Sequence, residues 1–548
     1  MTKIVLLTIA AVATALPAAW SAREKAAARR ITAAGLAAHV RFLADDLLEG
    51  RAPASRGSEL AMRYIATEYE RIGLEPAGDD GGWLQKFDIV GVTPSPIQPM
   101  TFSANGKTLV LKPGSESVLA AGSQTESMAV KDADVIFVGY GITAPEQKWD
   151  DYRDIDVRGK VVMVMNNDPE ADPKLFGGNT RLYYGRWTYK YEEAARHGAA
   201  GVIIIHTEHS AGYPWQVVQS SWGGEQFELP ANGEPRLQLR MWATEDSSRA
   251  IAKLGGRDLD ELRRAAEKRD FKAVSLGVKL SAAIKAKLSR VHTANVLGRL
   301  NGSDPKLKDQ VVVVSAHHDH LGMHIGMKGD NIYNGALDNG TGVSAMLELA
   351  DALASVTPRP KRSIVFAAVG AEESGLLGSQ YFCEHPIVPA GRIAANLNID
   401  GVDIWGPASD IGFIGLGKSS LDDIVINVAK AQGRTVTGDE QPDKGSFYRS
   451  DQFNFAKIGV PAIYLEAGVR YPGHDAEWGR ALHETYTKER YHQPSDQIDN
   501  TWKLEGAIED VQLMAVSLLR VADSAKLPEW HAGDEFEAAR KAALKSVH

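Results

Sequence analysis

Val311-Val-Val-Val-Ser315-Ala-His317-His318-Asp319-His320 is the stretch that decides the fold. Four successive valines with no polar alternation are the pattern of a strand buried on both faces, as in a mainly parallel sheet covered by helices. The run ends in three histidines and an aspartate. Open α/β sheets bind ligands beyond the carboxyl ends of their strands, so the polar cluster stands where chemistry is expected.

Working outward, similar runs recur at Ser363-Ile-Val-Phe-Ala-Ala368, Ile393-Ala-Ala-Asn-Leu-Asn-Ile399 and Pro461-Ala-Ile-Tyr-Leu465. Helical spacing separates them over 343–353, 376–382, 421–431 and 504–521. This alternation predicts an α/β domain over 289–525. Upstream, Leu36, Val40, Leu43 and then Met62, Ile65, Tyr69, Ile72 fall at three- and four-residue steps. They predict two helices in a segment 30–90, with a turn at Glu49-Gly-Arg51-Ala-Pro53 and a C-cap at Gly73. Between these parts, residues 91–288 read as strand-rich, with Val135-Ile-Phe-Val138, Val161-Val-Met-Val164 and Val202-Ile-Ile-Ile205 as short strands. Helices are predicted there over 188–197 and 258–268. Residues 526–548 read as a C-terminal tail.

Composition narrows the function. The 548 residues carry a net charge of −9 and show no basic stripe, which argues against a nucleic-acid partner. The single cysteine, Cys383, excludes an internal disulfide and a cysteine-built zinc site, so a metal would need His and carboxylate ligands. Lys3, the apolar run Ile4–Leu16, Pro17 and the small-residue stretch ending at Ser21 have the layout of a signal peptide over 1–21. The expected protein is secreted or periplasmic, with no membrane span once the signal is removed.

Three further polar clusters follow the first. Asn334-Gly-Ala-Leu-Asp338-Asn-Gly-Thr-Gly342 opens a helix, Gly370-Ala-Glu372-Glu373-Ser-Gly375 follows one strand, and Asp400-Gly401 follows another. Taken singly, Asp338 is a helix cap, the paired glutamates an acidic first turn, and the histidines a solvated loop. Taken together, adjacent carboxylates at one sheet edge repel unless cations compensate them. A pair of divalent cations explains the set if one more His arrives from downstream, and His492 in Arg490-Tyr-His492-Gln-Pro-Ser-Asp496 is the best candidate.

These motifs, in this order, resemble the zinc aminopeptidases of peptidase family M28. The resemblance implies a three-layer α/β/α domain with a mainly parallel mixed sheet, two zinc ions and peptide or protein substrates. It implies that His317 and Asp400 hold one zinc, Glu373 and His492 the other, and that Asp338 bridges them. Asp319 would hydrogen-bond the His317 ring, and Glu372 would be the general base that takes a proton from the activated water. Tyr448, Ser450 and Asp451 resemble the family's stretch bordering the substrate pocket, although Gln452 stands where the family often has His. His318 and His320 match no ligand position, and the surroundings of His474 in Tyr471-Pro-Gly-His474-Asp475 match the family less well than those of His492. Asp134-Val-Ile-Phe-Val-Gly-Tyr-Gly141, Asp156-Val-Arg-Gly-Lys-Val-Val162 and Ala194-Ala-Arg-His-Gly-Ala-Ala-Gly-Val202 resemble a β-rich protease-associated domain inserted over 91–288.

The expected activity is removal of N-terminal residues. A carboxypeptidase of the same superfamily would need cations for a terminal carboxylate; Arg449 and Arg470 lie near the motifs, but the sequence shows no Arg cluster. A glutaminyl cyclase-like enzyme would work with one zinc and would not need all five ligands. A receptor-like protein without catalysis would have lost Glu372 or a ligand, and none is lost.

Overall fold

Every residue of the Val311–His317 strand is buried, with parallel partners on both sides: Ser363–Val369 and Ile393–Asn398. The structure is a computed structural model describing residues 19–547 apart from 223, 224, 325 and 327. Ala462–Ala467 lies parallel beyond Ile393–Asn398, and Asp410–Phe413 and Thr435–Thr437 complete that edge. The two-residue period sorts the central strand: Val312, Val314 and Ala316 enter one apolar cluster, Val311 and Val313 another. Helices Ala33–Leu43, Arg56–Ile72, Gly342–Ser355 and Glu505–Asp523 supply the first cluster. Leu377–Glu384, through Phe382 and Cys383, and Gln452–Lys457, through Phe455, supply the second. Each fully buried valine contributes about 2 kcal/mol, so an aspartate at Val313 would break the layer.

The predicted N-terminal helices form. Arg56–Ile72 starts at Ser55, whose side chain accepts the Ser58 N–H, and stops at Gly73 in the left-handed conformation (φ 86°). The sheet does not end at the peptidase-like part. Val274–Leu300 pairs antiparallel with Ser363–Val369 at its carboxyl end, and with Leu84–Ala104 and Ser127–Phe137 along its length. The boundary expected at residue 288 lies inside this strand.

The middle region is less purely β than its short apolar runs imply. Ser127–Phe137, Val161–Met165, Gly201–His206 and Leu239–Thr244 lie parallel to one another in that order. Parallel neighbours need crossovers, and helices Trp187–Arg196 and Trp215–Ser221 lie in two of them. The predicted helix at 258–268 is Leu259–Ala266.

Both ends of the described residues are built in. Most of the expected signal peptide lies outside the described residues; of its last residues, Trp20 packs on the core and Ser21 caps helix Ala22–Ala28 in a capping box with Glu24. At the other end Trp530 and Phe536 join an aromatic cluster, and buried Arg540 donates to Ile393 O and Ala394 O.

Candidate metal centre

His317 ends its strand, Glu372 and Glu373 follow the Ser363–Val369 strand, and Asp400 follows Ile393–Asn398. Asp338 comes from the loop before helix Gly342–Ser355, and His492 from the turn after helix Ala476–Glu489. His317 Nε2 is 3.2 Å from Asp338 Oδ1 and 3.2 Å from Asp400 Oδ1. His492 Nε2 is 3.1 Å from Asp338 Oδ2 and 3.1 Å from Glu373 Oε2. The two oxygens of Asp338 therefore face two different ligand groups. Capping is not its role: the following helix has no side-chain cap.

Two clusters have metal-ligand spacing: His317, Asp338 and Asp400, and His320, Asp338 and Glu373. His320 Nδ1 stands 2.7 Å from Glu373 Oε1. Both ring nitrogens of His320, His492 Nε2 and Glu373 Oε1 are sealed from solvent, and the short contacts among these groups are poorly aligned for hydrogen bonds. Buried polar atoms are nearly always satisfied, so converging lone pairs of this kind are what a ligand shell for cations looks like. Imidazole nitrogen with carboxylate oxygen suits zinc and neighbouring divalent metals.

The electrostatics divide the paired glutamates. Burial pushes Glu372 well above the usual carboxylate range; Glu373, Asp400 and Asp451 add to this, and His317 opposes it. Burial and Asp338 also act to raise Glu373, but His320 and His492 bring it down to about 2. One glutamate is thus held ionised while its neighbour has a raised proton affinity, the kind of separation that acid–base catalysis needs. Burial works against charge on His317, yet Glu372, Asp400 and Asp338 outweigh it and hold the ring well above its ordinary value.

The supports are specific. The expected hydrogen bond from the Asp319 carboxylate to His317 is absent: Asp319 Oδ1 lies 4.0 Å from Nδ1, and the partner is the Asp319 main-chain carbonyl at 3.2 Å. This acceptor places a proton on Nδ1 and leaves Nε2 facing the ligand group. The carboxylate turns instead to the Glu372–Glu373 backbone. Asp496 accepts the main-chain N–H groups of Leu337 and Asp338. Arg51, 1% exposed, donates to His318 O, Leu43 O, Asn334 O and Gly335 O, tying two ligand loops to the N-terminal helices. Ser450 Oγ donates to Asp400 Oδ2 at 2.6 Å. His318 is a core residue bonded to Ala294 O, and burial drops it to about 4.

Asp496 and Arg51 were within quoted motifs but carried no sequence signal of their roles. His320 was set aside by its motif position, and only its contact with Glu373 reveals it.

A cavity of about 310 Å³ opens beside His317, Asp338, Glu372 and Asp400. Arg449 and Ser450 line it, whereas Tyr448 and Asp451 do not. Tyr448 is buried in the aromatic cluster with its hydroxyl on Glu535, and Asp451 is fully buried. Arg470 is taken up by Asp410 at 2.7 Å. Folding does bring together arginines that the sequence keeps apart: burial lowers Arg181 and Arg186 of the middle region, and the charge of Arg449 adds to this in both. His474 stacks on Trp478, away from the ligands.

Residues 295–516 match peptidase family M28. That stretch contains all five expected ligands and Glu372. The aminopeptidase YwaD of Bacillus subtilis is 28% identical over 43% of this chain and 46% of its own length. An aminopeptidase of Pseudomonas aeruginosa is 27% identical over 57% of this chain and 51% of its own. A probable glutamate carboxypeptidase of Arthroderma benhamiae is 34% identical over 35% of this chain and 26% of its own. The matched region thus spans about half or less of these curated relatives. Among solved structures, an aminopeptidase from Aneurinibacillus sp. strain AM-1 aligns over 92% of this chain and 97% of its own, with TM-score 0.48 and 17% identity.

Proposed function

We propose that the protein is a metal-dependent aminopeptidase with two divalent cations, zinc the expected pair. The observation that carries this reading is Asp338, whose two oxygens face separate ligand groups 3.2 Å and 3.1 Å away. His317 and Asp400 would hold one ion, and Glu373 and His492 the other, with His320 against Glu373. Bound there, the ions would polarise the scissile carbonyl and make water a better nucleophile near neutral pH.

The chain's own residues supply the rest. Glu372 lines the cavity, and its raised proton affinity suits it to take a proton from attacking water and return it to the departing amine. Asp319 fixes the backbone on which Glu372 rides. The cavity walls position the substrate and exclude bulk water.

Residues 91–288 form, in this reading, an inserted protease-associated domain flanking the cleft. Its Arg181 N–H donates to Pro442 O at 3.0 Å, and the Tyr183 ring packs on Phe453. We further infer export, from the basic start, apolar run and small-residue stretch of the N-terminus; no helix among the described residues is long and apolar enough to cross a membrane.

A carboxypeptidase is the second reading, favoured by Arg449 and its two arginine neighbours. Product masses from matched peptides with free, N-acetylated and C-amidated ends separate the two. Stepwise N-terminal loss, blocked by acetylation and by a chelator, is the expected result. Trimming blocked by amidation would overturn it.

A further inference from the structure

This inference rests on the aminopeptidase reading and concerns which residue is removed. Val402, Trp405, Tyr464 and Tyr486 give the cavity an apolar and aromatic wall. Glu466 stands in the same wall. It lies two residues after Tyr464 on the strand Ala462–Ala467, so both side chains leave one face of that strand, and both line the cavity. Its partner across the sheet is Gly412, which presents no side chain beside it.

Glu466 has no counter-ion. Among the described residues no lysine, arginine or histidine forms an ion pair with its carboxylate; the charges that bear on it are Asp439 and Asp400, both of its own sign. Arg449, though it lines the same cavity, makes no ion pair with it. Glu466 is an exposed residue at the cavity wall; crowding of its carboxyl by protein and the two aspartates push it up to about 7, against a hydrogen bond from the Tyr464 side chain that lowers it. A carboxylate at a cavity wall with no cation beside it favours a ligand that brings one.

We propose that Glu466 is a specificity-determining residue that receives the basic side chain of an N-terminal lysine or arginine. The methylenes of such a residue would lie along Trp405 and Tyr486, and its cationic head would meet the carboxylate. Neutral side chains of the same length would fill the wall but leave Glu466 unpaired.

The test uses aminoacyl-coumarin amides in isosteric pairs, lysine against norleucine and arginine against citrulline. The wild-type protein is expected to show kcat/KM roughly tenfold higher for the charged member of each pair. E466Q, measured in one preparation on both members, should bring the ratio to within about twofold. E466R should favour a glutamyl over a lysyl substrate. Lysinamide should inhibit wild-type cleavage of the norleucine substrate more strongly than norleucinamide, which needs no variant to fold. Equal wild-type rates within pairs, or a ratio kept in E466Q, would overturn the assignment while leaving the aminopeptidase reading intact. No cleavage of any amide by the wild type would overturn both.

Discussion

Asp319 and Glu372 are joined side chain to main chain: Asp319 Oδ1 accepts the Glu372 N–H at 3.0 Å, and Oδ2 accepts that of Glu373 at 3.4 Å. One carboxylate, fully buried, thus sets the turn that carries the proposed base and a proposed ligand. D319A should lower kcat/KM by about 10–100-fold and weaken metal retention, with the far-ultraviolet dichroism unchanged. Wild-type kinetics in D319A would show that the turn holds itself.

Glu372 touches the cavity but belongs to neither ligand group. E372Q should lose about 10²–10⁴-fold in kcat while two metal ions per chain remain by elemental analysis. A loss of metal instead would make Glu372 a ligand, and retained turnover would remove it from proton transfer.

Arg51 is a buried cation satisfied entirely by main-chain carbonyls, and burial lowers it to about 10, still charged at neutral pH. R51M should destabilise the protein by about 3 kcal/mol or more, because several buried carbonyls lose their donor together. Denaturant midpoints check this, and a change below about 1 kcal/mol would argue that water replaces the guanidinium.

Asp151, in the middle region, accepts the Ile142 N–H and the Trp149 indole, yet burial pushes its carboxyl up to about 7. The folded chain then keeps a proton that the unfolded chain releases above about pH 4. Its contribution is present below pH 4 and lost as pH rises to 7, by roughly 3 kcal/mol. The stability of wild type relative to D151N should fall across that window; a flat difference would place the folded value near 4.

Much of this site was legible because its ligands sit at strand ends, where runs such as Val311–Val314 announce themselves and the next residues must lie at the sheet edge. His317, Glu372, Glu373 and Asp400 carry that signal. Arg51 and Asp496 do not, since each acts on main-chain groups of a distant loop and no periodicity records such a bond. Asp319 was legible as a supporting carboxylate but not in its target, because side-chain direction after a strand depends on the turn. Tyr448 and Asp451 show the same limit: in 448–451 the cavity takes Arg449 and Ser450 while the core takes their neighbours. In the middle region the apolar runs were visible, but strand direction was not, since parallel and antiparallel strands share the same residues.

The strand Val274–Leu300 makes the middle region a poor cassette. Its last turns of register, Val296 beside Ala368, lie next to the strand that delivers Glu372, while its first residues pair with Phe137 and Ile136 of the middle sheet. A chimera that exchanges residues 91–288 for a relative's would join two registers within one continuous strand. The mismatch would be inherited by the catalytic edge, so grafting new accessory modules onto this scaffold has to begin from loops rather than from that strand.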